Sequence, residues 1–233
     1  MYLPFKTKRL NIGFEVDRLR TDLRRIPEHW WVSHSFDDTK HDVVLLVTNR
    51  GRLTSPDGTD NHLLLPPFLP TEYLKAMPYF NQVLHSFGLP PSRARLMRVG
   101  PNETVKPHQD RHPHWNDKVR VHIPIETSLD VMFHVWSDNP LLRQDDKVSV
   151  HFAPGEAWVF NGWYFHAVSN PSTHSRIHLV GDFEVKAKIF ELVFAGCTPE
   201  DIAEAGNFAY PPYSAEPDVL RWAGTGETQT SSR

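Results

Sequence analysis

Residues 119–125, VRVHIPI, alternate between two kinds of position. Arg120, His122 and Pro124 fall on one face of an extended chain and four branched apolar residues on the other, because successive side chains of a strand point to opposite sides. Similar short runs lie around this stretch, separated by Pro, Gly, Asn and Asp: ARLMRV, DVMFHVW, KVSVHF, EAWVF and RIHLVGDFEV. Six or more strands at short spacing, without helices between them, predict an antiparallel sandwich or barrel.

The flanking segments carry different patterns. Residues 16–26 and 71–87 place apolar side chains on one helical face, the second with a break at Pro78. VVLLVT at 43–48 predicts a buried strand, and the Pro- and Gly-rich segment 49–70 predicts a long surface loop of the kind that often forms a lid. PEDIAEA, at 199–205, predicts a short helix.

The composition limits the class of protein. The chain has 25 Lys and Arg against 28 Asp and Glu, a net charge of −3, which excludes the strongly basic surface of a general nucleic-acid binder. Its 233 residues suit a single domain. We find no long apolar run, no signal-like start and only one cysteine, so we expect a cytoplasmic protein without a membrane partner.

Histidine is concentrated in the strand-rich half. Nine of the 14 histidines lie between His108 and His178. His108 and Asp110, two residues apart on a predicted strand, would point to one side, and an imidazole with a carboxylate is half of the 2-His-1-carboxylate triad that holds Fe(II). Spacing alone leaves six candidates for the second histidine: His122, His134, His151, His166, His174 and His178.

Local context favours His166. It lies on a strand that returns from the Asn161-Gly162 turn, in a tryptophan-rich segment. Arg176, ten residues later, opens an apolar strand. A lone arginine in that position needs an anionic partner, and a bound dicarboxylate offers one with bidentate geometry.

Together these residues resemble the iron(II)/2-oxoglutarate-dependent dioxygenases. Four blocks in order, covering residues 94–184, resemble more closely the aspartyl/asparaginyl β-hydroxylase family, which includes bacterial hydroxylases of free proline: ARLMRVGPNETVKPHQD, VRVHIPIET, APGEAWVFNGWYFHAVSN and SRIHLVGDF. The resemblance implies a mainly β fold, with a double-stranded β-helix (jelly-roll, cupin-like) core and flanking helices. It also implies iron(II) as the metal, with 2-oxoglutarate and O2 as cosubstrates.

The resemblance assigns roles residue by residue. It makes His108, Asp110 and His166 the catalytic iron ligands, and Arg176 the residue that binds the distal carboxylate of 2-oxoglutarate. His122 would contact the cosubstrate or the substrate, and Arg120 a substrate carboxylate. The animal peptidyl hydroxylases of this family have glycine at the position of Asp110 and serine at that of Met97, so the complete triad here is more similar to the proline hydroxylases.

The implied organisation is one dioxygenase domain over residues 1–233. Helices and the lid-like loop would occupy 1–93, the jelly-roll core 94–184, a C-terminal extension 185–223 and a disordered tail 224–233. We expect a monomer or homodimer that hydroxylates an unactivated C–H bond of a free amino acid or similar small carboxylate. Decarboxylation of 2-oxoglutarate to succinate would accompany the reaction.

Other interpretations stay open from the sequence. The substrate could be a peptide, protein or carrier-bound residue, or the chain could be a non-oxidative cupin-like metal protein. Arg176 could pair with Asp182 or Glu184, and Arg120 and His122 could be the polar face of a half-solvated sheet. His112 and His114 are expected to be exposed loop residues. Three tryptophans are candidates for a pocket wall: Trp136, Trp158 and Trp163.

Overall fold

The computed structural model describes residues 1–36, 39–53 and 64–207. Its strands are β1 Thr7–Gly13, β2 Val32–Phe36, β3 Thr39–Asn49, β4 Phe68–Pro70, β5 Arg93–Val99, β6 Glu103–His108, β7 Lys118–Glu126, β8 Met132–Trp136, β9 Val148–Val150, β10 Glu156–Phe160, β11 Phe165–Asn170 and β12 Arg176–Glu184. Its α-helices are α1 Val16–Leu23, α2 Glu72–Lys75, α3 Pro78–His85, α4 Ala187–Phe194 and α5 Pro199–Asn207.

The strands form two antiparallel sheets. The large sheet has the order β1-β10-β7-β12-β5-β3-β2, with β4 paired to β3, and the small sheet has the order β6-β11-β8-β9. Of the eight consecutive strands β5 to β12, the large sheet therefore contains β5, β7, β10 and β12. The small sheet contains the other four, β6, β8, β9 and β11. This alternation is that of a double-stranded β-helix, and it confirms the predicted jelly-roll fold.

Strand β7 shows how the roll is packed. Val119, Val121 and Ile123 belong to the main apolar core, which also contains buried residues of α1, α3 and α4. The opposite face of β7 carries Arg120 and His122, and both side chains are also buried. The expectation of a half-solvated polar face is therefore wrong, because both sides of β7 are covered.

The flanking predictions are largely confirmed. The pattern at 16–26 forms α1, the pattern at 71–87 forms α2 and α3 with Pro78 as the first residue of α3, and the segment 199–205 lies in α5. The loop predicted over 49–70 ends earlier than expected, because β4 pairs with the end of β3. Residues 54–63 of this proposed lid and the whole tail 224–233 lie outside the described residues. Within those residues, no helix is long and apolar enough to cross a bilayer.

Candidate metal centre and ligand site

Two histidines meet across the small sheet. β6 pairs with β11 so that His108 lies opposite His166, with 4.2 Å between the ring centroids. Asp110 lies two residues beyond the end of β6, where its N–H donates to the carbonyl of Gly162 at 2.8 Å. The candidate ligand atoms of the three residues all lie within 4.8 Å of one another. The prediction that Asp110 is on the strand was wrong, but the turn still brings it to the histidines.

Gly162 permits this close approach. A Cβ atom at position 162 would lie 3.3 Å from the Cβ of Asp110, closer than side chains normally pack. With glycine there, the Oδ2 atom of Asp110 reaches 3.9 Å from Nε2 of His166. The turn residues therefore determine the position of the carboxylate.

Hydrogen bonds orient both imidazoles. Nδ1 of His108 lies 2.9 Å from the carbonyl of Lys106, and Nδ1 of His166 lies 3.0 Å from the carbonyl of Tyr164. A carbonyl only accepts, so each Nδ1 carries the proton and each Nε2 presents a lone pair, as in metal-binding histidines. Burial, aided by the neighbouring His108, lowers the pKa of His166 to about 3, which keeps this imidazole neutral.

Asp110 completes the donor set as a carboxylate. Burial alone would raise its pKa, but the charge of Arg120, together with the two neighbouring histidines, holds that pKa below the usual value. Two imidazoles and one carboxylate, oriented towards a common point, form a set suited to Fe(II) and related divalent transition metals.

Arg120 connects this cluster to a second buried carboxylate. Its Nη1 donates to Oδ2 of Asp110 at 2.8 Å and its Nε donates to Oδ1 of Asp182 at 3.0 Å. The guanidinium also lies 4.2 Å from the ring centroid of Trp115. The pKa of Asp182 is well below its usual range, because the charge of Arg120 outweighs the opposing effect of burial.

His114 differs from the sequence expectation. It is buried, with its Nε2 3.6 Å from Oδ2 of Asp182. The short 3-10 helix Pro113–Trp115 turns the side chain inward, so the prediction of an exposed loop histidine was wrong for this residue. His112 is partly buried, and its Nδ1 accepts a hydrogen bond from the N–H of His114.

Arg176 lies in the interior, with no carboxylate partner among the described residues. Its side chain is 2 % exposed, and its Nη2 is 2.8 Å from Nδ1 of His178. Among the described residues it forms no ion pair, so the alternative pairings with Asp182 and Glu184 are wrong. Asp182 pairs with Arg120 instead. Burial lowers the pKa of Arg176 to about 9.

The two histidines beside Arg176 are also incompletely bonded. Both ring nitrogens of His122 and the Nε2 of His178 are buried and have no hydrogen-bond partner in the described part of the chain. The ring centroids of His122 and His178 lie 5.6 Å apart. Burial lowers the pKa of both imidazoles well below the ordinary value, and the charge of Arg176 adds to this effect. Buried polar groups are costly without partners, so this arrangement is suited to bind an anionic ligand.

A pocket opens beside Asp110. It encloses about 270 Å³, part of it open to solvent, and its lining includes Arg120, Trp115 and Trp163. Of the three tryptophans proposed as pocket walls, only Trp163 lines this pocket; Trp136 and Trp158 do not.

Comparison with known proteins identifies the family. Residues 57–186 match the family model of the aspartyl/asparaginyl β-hydroxylases. The chain belongs to this family. The L-proline cis-4-hydroxylase of Rhizobium meliloti (strain 1021) is 28% identical over 180 residues, which cover 76% of this chain and 60% of that protein. The chain thus spans less than two thirds of the length of this curated relative.

A solved structure supports the fold of this β-hydroxylase family member. An oxidoreductase of the 2OG-Fe(II) oxygenase family from Burkholderia pseudomallei superposes with a TM-score of 0.52 at 16% identity. The superposition covers 74% of this chain and 79% of the other. The resemblance inferred from the sequence blocks is confirmed at the level of family and fold.

The sequence interpretation missed the roles of three residues of this site: Trp115, His178 and Asp182. One signal for two of them was present in the sequence. Arg176, His178 and Asp182 lie at even spacing on one strand, so they share a face. The partner of Asp182 could not be predicted, because it depends on the register that places Asp182 opposite Arg120.

Proposed function

We propose that this protein is an iron(II)- and 2-oxoglutarate-dependent hydroxylase of a free amino acid or a similarly small carboxylate. The observation that carries the proposal is the cluster of His108, Asp110 and His166, whose ligand atoms lie within 4.8 Å of one another. The similarity to an L-proline cis-4-hydroxylase supports the reaction and the substrate class.

The three residues fit a bound iron(II) ion. Each imidazole donates its Nδ1 proton to a backbone carbonyl and leaves Nε2 for the metal, while Asp110 supplies the negative charge. Bound iron(II) would activate O2, the oxidant that converts C–H to C–OH, while 2-oxoglutarate would supply the two further electrons and be released as succinate and CO2. The protein contributes the position of the ligands and of the two organic molecules.

Arg176 would bind the distal carboxylate of 2-oxoglutarate. It is a buried cation whose Nε has no partner within the described ranges, and a carboxylate is the group that a guanidinium binds in bidentate geometry. His122 lies nearby as a neutral imidazole, and neither of its nitrogens has a partner in the part of the chain that the structure describes, so it can donate a hydrogen bond to the cosubstrate. A protein that only stored a metal ion would have no use for this second, cationic site.

Arg120 is our candidate for contact with the substrate. Nε and Nη1 are occupied by Asp182 and Asp110, which leaves Nη2 for a substrate carboxylate. Trp115 and Trp163 would shield the pocket beside it from water, which strengthens such a charge interaction.

The setting of the activity is part of the same proposal. We expect the protein to act in the cytoplasm, as a monomer or homodimer, on a small molecule. Its net charge of −3 gives no support to a nucleic-acid partner.

A coupled turnover assay tests the proposal. The purified protein is incubated with Fe(II), 2-oxoglutarate and O2 and a panel of free amino acids and short peptides, starting with L-proline. Succinate and an oxygenated product are measured by mass spectrometry. We expect stoichiometric succinate and product with at least one free amino acid, and none with His166→Ala.

The same assay separates the alternatives. If succinate and an oxygenated product form only with peptides, the substrate is a peptidyl residue and not a free amino acid. No consumption of 2-oxoglutarate in any mixture, by protein shown to hold iron, would contradict the hydroxylase and leave a non-oxidative metal protein.

A further inference from the structure

Asp182 is a buried carboxylate that does not belong to the proposed metal ligands. It lies near the end of β12, is 2 % exposed, and its two oxygens are directed to different partners. Oδ1 accepts a hydrogen bond from Nε of Arg120 at 3.0 Å, and Oδ2 lies 3.6 Å from Nε2 of His114. The strand register places Asp182 directly opposite Arg120 on β7.

Arg120 is fixed on three sides. Asp182 accepts from Nε, Asp110 accepts from Nη1, and the guanidinium carbon lies 4.2 Å from the centroid of the Trp115 ring. The guanidinium is rigid and planar, so two carboxylates on different nitrogens and an aromatic face leave it little rotational freedom. The position of Arg120 in turn restricts rotation of the Asp110 carboxylate.

We propose that Asp182 is a positioning residue for the metal ligand Asp110 and acts through Arg120. This inference rests on the metal site of the proposed function, but it does not depend on the reaction or the substrate. Asp182 would contribute in two ways. It holds Arg120 where Arg120 orients Asp110, and its negative charge balances the arginine, which would otherwise repel a nearby divalent cation.

A purely structural role makes a different prediction. If Asp182 served only to satisfy a buried arginine, its loss would reduce folding stability and leave the metal affinity of the folded protein unchanged. Asp22 provides a matched control for this case. It is equally buried, and its Oδ2 accepts from the N–H groups of Tyr79 and Phe80 at 2.7 and 2.9 Å. It lies in α1, in the helical layer outside the roll.

Cobalt(II) binding to the full chain tests the inference. Co(II) is titrated into wild type, Asp182→Asn and Asp22→Asn, and both the dissociation constant and the visible d–d spectrum are recorded. We expect Asp182→Asn to bind Co(II) about 10- to 100-fold more weakly, the range for loss of a residue that orients a metal ligand, with an altered spectrum. Asp22→Asn should keep the wild-type constant and spectrum, even where it melts at a lower temperature.

The outcomes are distinguishable from failure of the proposed function. An Asp182→Asn constant within twofold of wild type, with the same spectrum, overturns the positioning role and leaves the metal site intact. Absence of Co(II) binding by wild type overturns both. If Asp182→Asn does not fold, Arg120→Lys replaces it, since lysine keeps the charge but loses the fork that bridges two carboxylates. It should show the same weakening, and wild-type affinity in that variant would contradict the inference.

Discussion

Two regions in the interior of the roll differ in whether their buried charges have partners. At the triad end, which consists of the three proposed metal ligands with Arg120 and Asp182, the arginine is bonded to carboxylates on both sides. At the arginine end, which consists of Arg176, His122 and His178, polar atoms are just as buried but several have no partner among the described residues. Strands β7 and β12 thus contribute residues both to a completed ionic network and to an incomplete one.

The difference shows which region is preorganised in the ligand-free protein and which region would be stabilised by a bound ligand. A buried charge is tolerable when it is paired and costly when it is not. At the triad end the buried charges are paired with one another, so the ligand atoms can be held in position before the metal binds. The arginine end retains a cost that a bound carboxylate would remove, and this is why we place 2-oxoglutarate there.

The largest effect is expected from breaking the completed network. Arg120→Met leaves Asp110 and Asp182 buried without their common partner, so the free energy of unfolding of the metal-free protein should fall by about 3–5 kcal/mol. Chemical denaturation at pH 7 measures it. A loss below about 1 kcal/mol would show that the network does not contribute as its geometry suggests.

At the arginine end, replacing arginine by methionine should not lower the free energy of unfolding and should even raise it slightly. Arg176→Met removes a buried cation that has no carboxylate partner among residues 1–36, 39–53 and 64–207, and replaces it with an apolar side chain of similar length. The metal-free variant should be as stable as wild type or more stable by about 1–2 kcal/mol, while its KM for 2-oxoglutarate rises steeply. If Arg176→Met were destabilised as much as Arg120→Met, the two ends would not differ in how far their buried charges are stabilised by partners.

A smaller effect is expected in the pH dependence of stability. The folded-state pKa of His178 is depressed by burial, and the charge of Arg176 adds to this effect. As the pH falls below about 6.5, this imidazole binds a proton in the unfolded chain but stays unprotonated in the folded protein. Stability should then decrease, by up to about 1.4 kcal/mol per pH unit for this one group.

His178→Gln removes this contribution. Denaturation curves of the metal-free protein between pH 7 and pH 5 should show a shallower decline for the variant than for wild type. His29→Gln, at an exposed position, is the control and should follow the wild-type curve. An identical slope for His178→Gln and wild type would contradict a neutral, buried His178.

The fold could be predicted because its signals are local. Alternation in VRVHIPI, and turn residues between short runs, indicate strands without knowledge of their partners. Pro78 predicted the break between α2 and α3 for a similarly local reason, since proline suits the first turn of a helix and not its interior. β4 was missed because three residues within a Pro-rich segment carry no periodicity, and only their pairing with β3 makes them a strand.

The site was predictable only in part. His108 and His166 are marked by sequence blocks, and the structure brings them together with Asp110. The pairing of Arg120 with Asp182 depends on the register of β7 against β12, across 62 residues of sequence, and no local pattern encodes it. His114 shows the same limit, since a Pro-His-Trp segment looks like an exposed loop until the 3-10 turn directs it towards Asp182.

The central claim is that the triad end holds iron and the arginine end holds 2-oxoglutarate, and one anaerobic titration tests it most directly. Protein loaded with Fe(II) is titrated with 2-oxoglutarate, and the weak visible charge-transfer band of the iron chelate is followed for wild type and Arg176→Met. We predict a saturable band in wild type, and in Arg176→Met a band that needs at least 100-fold more 2-oxoglutarate, about 2.7 kcal/mol of lost binding. Wild-type protein that retains its iron and develops no band would contradict the account.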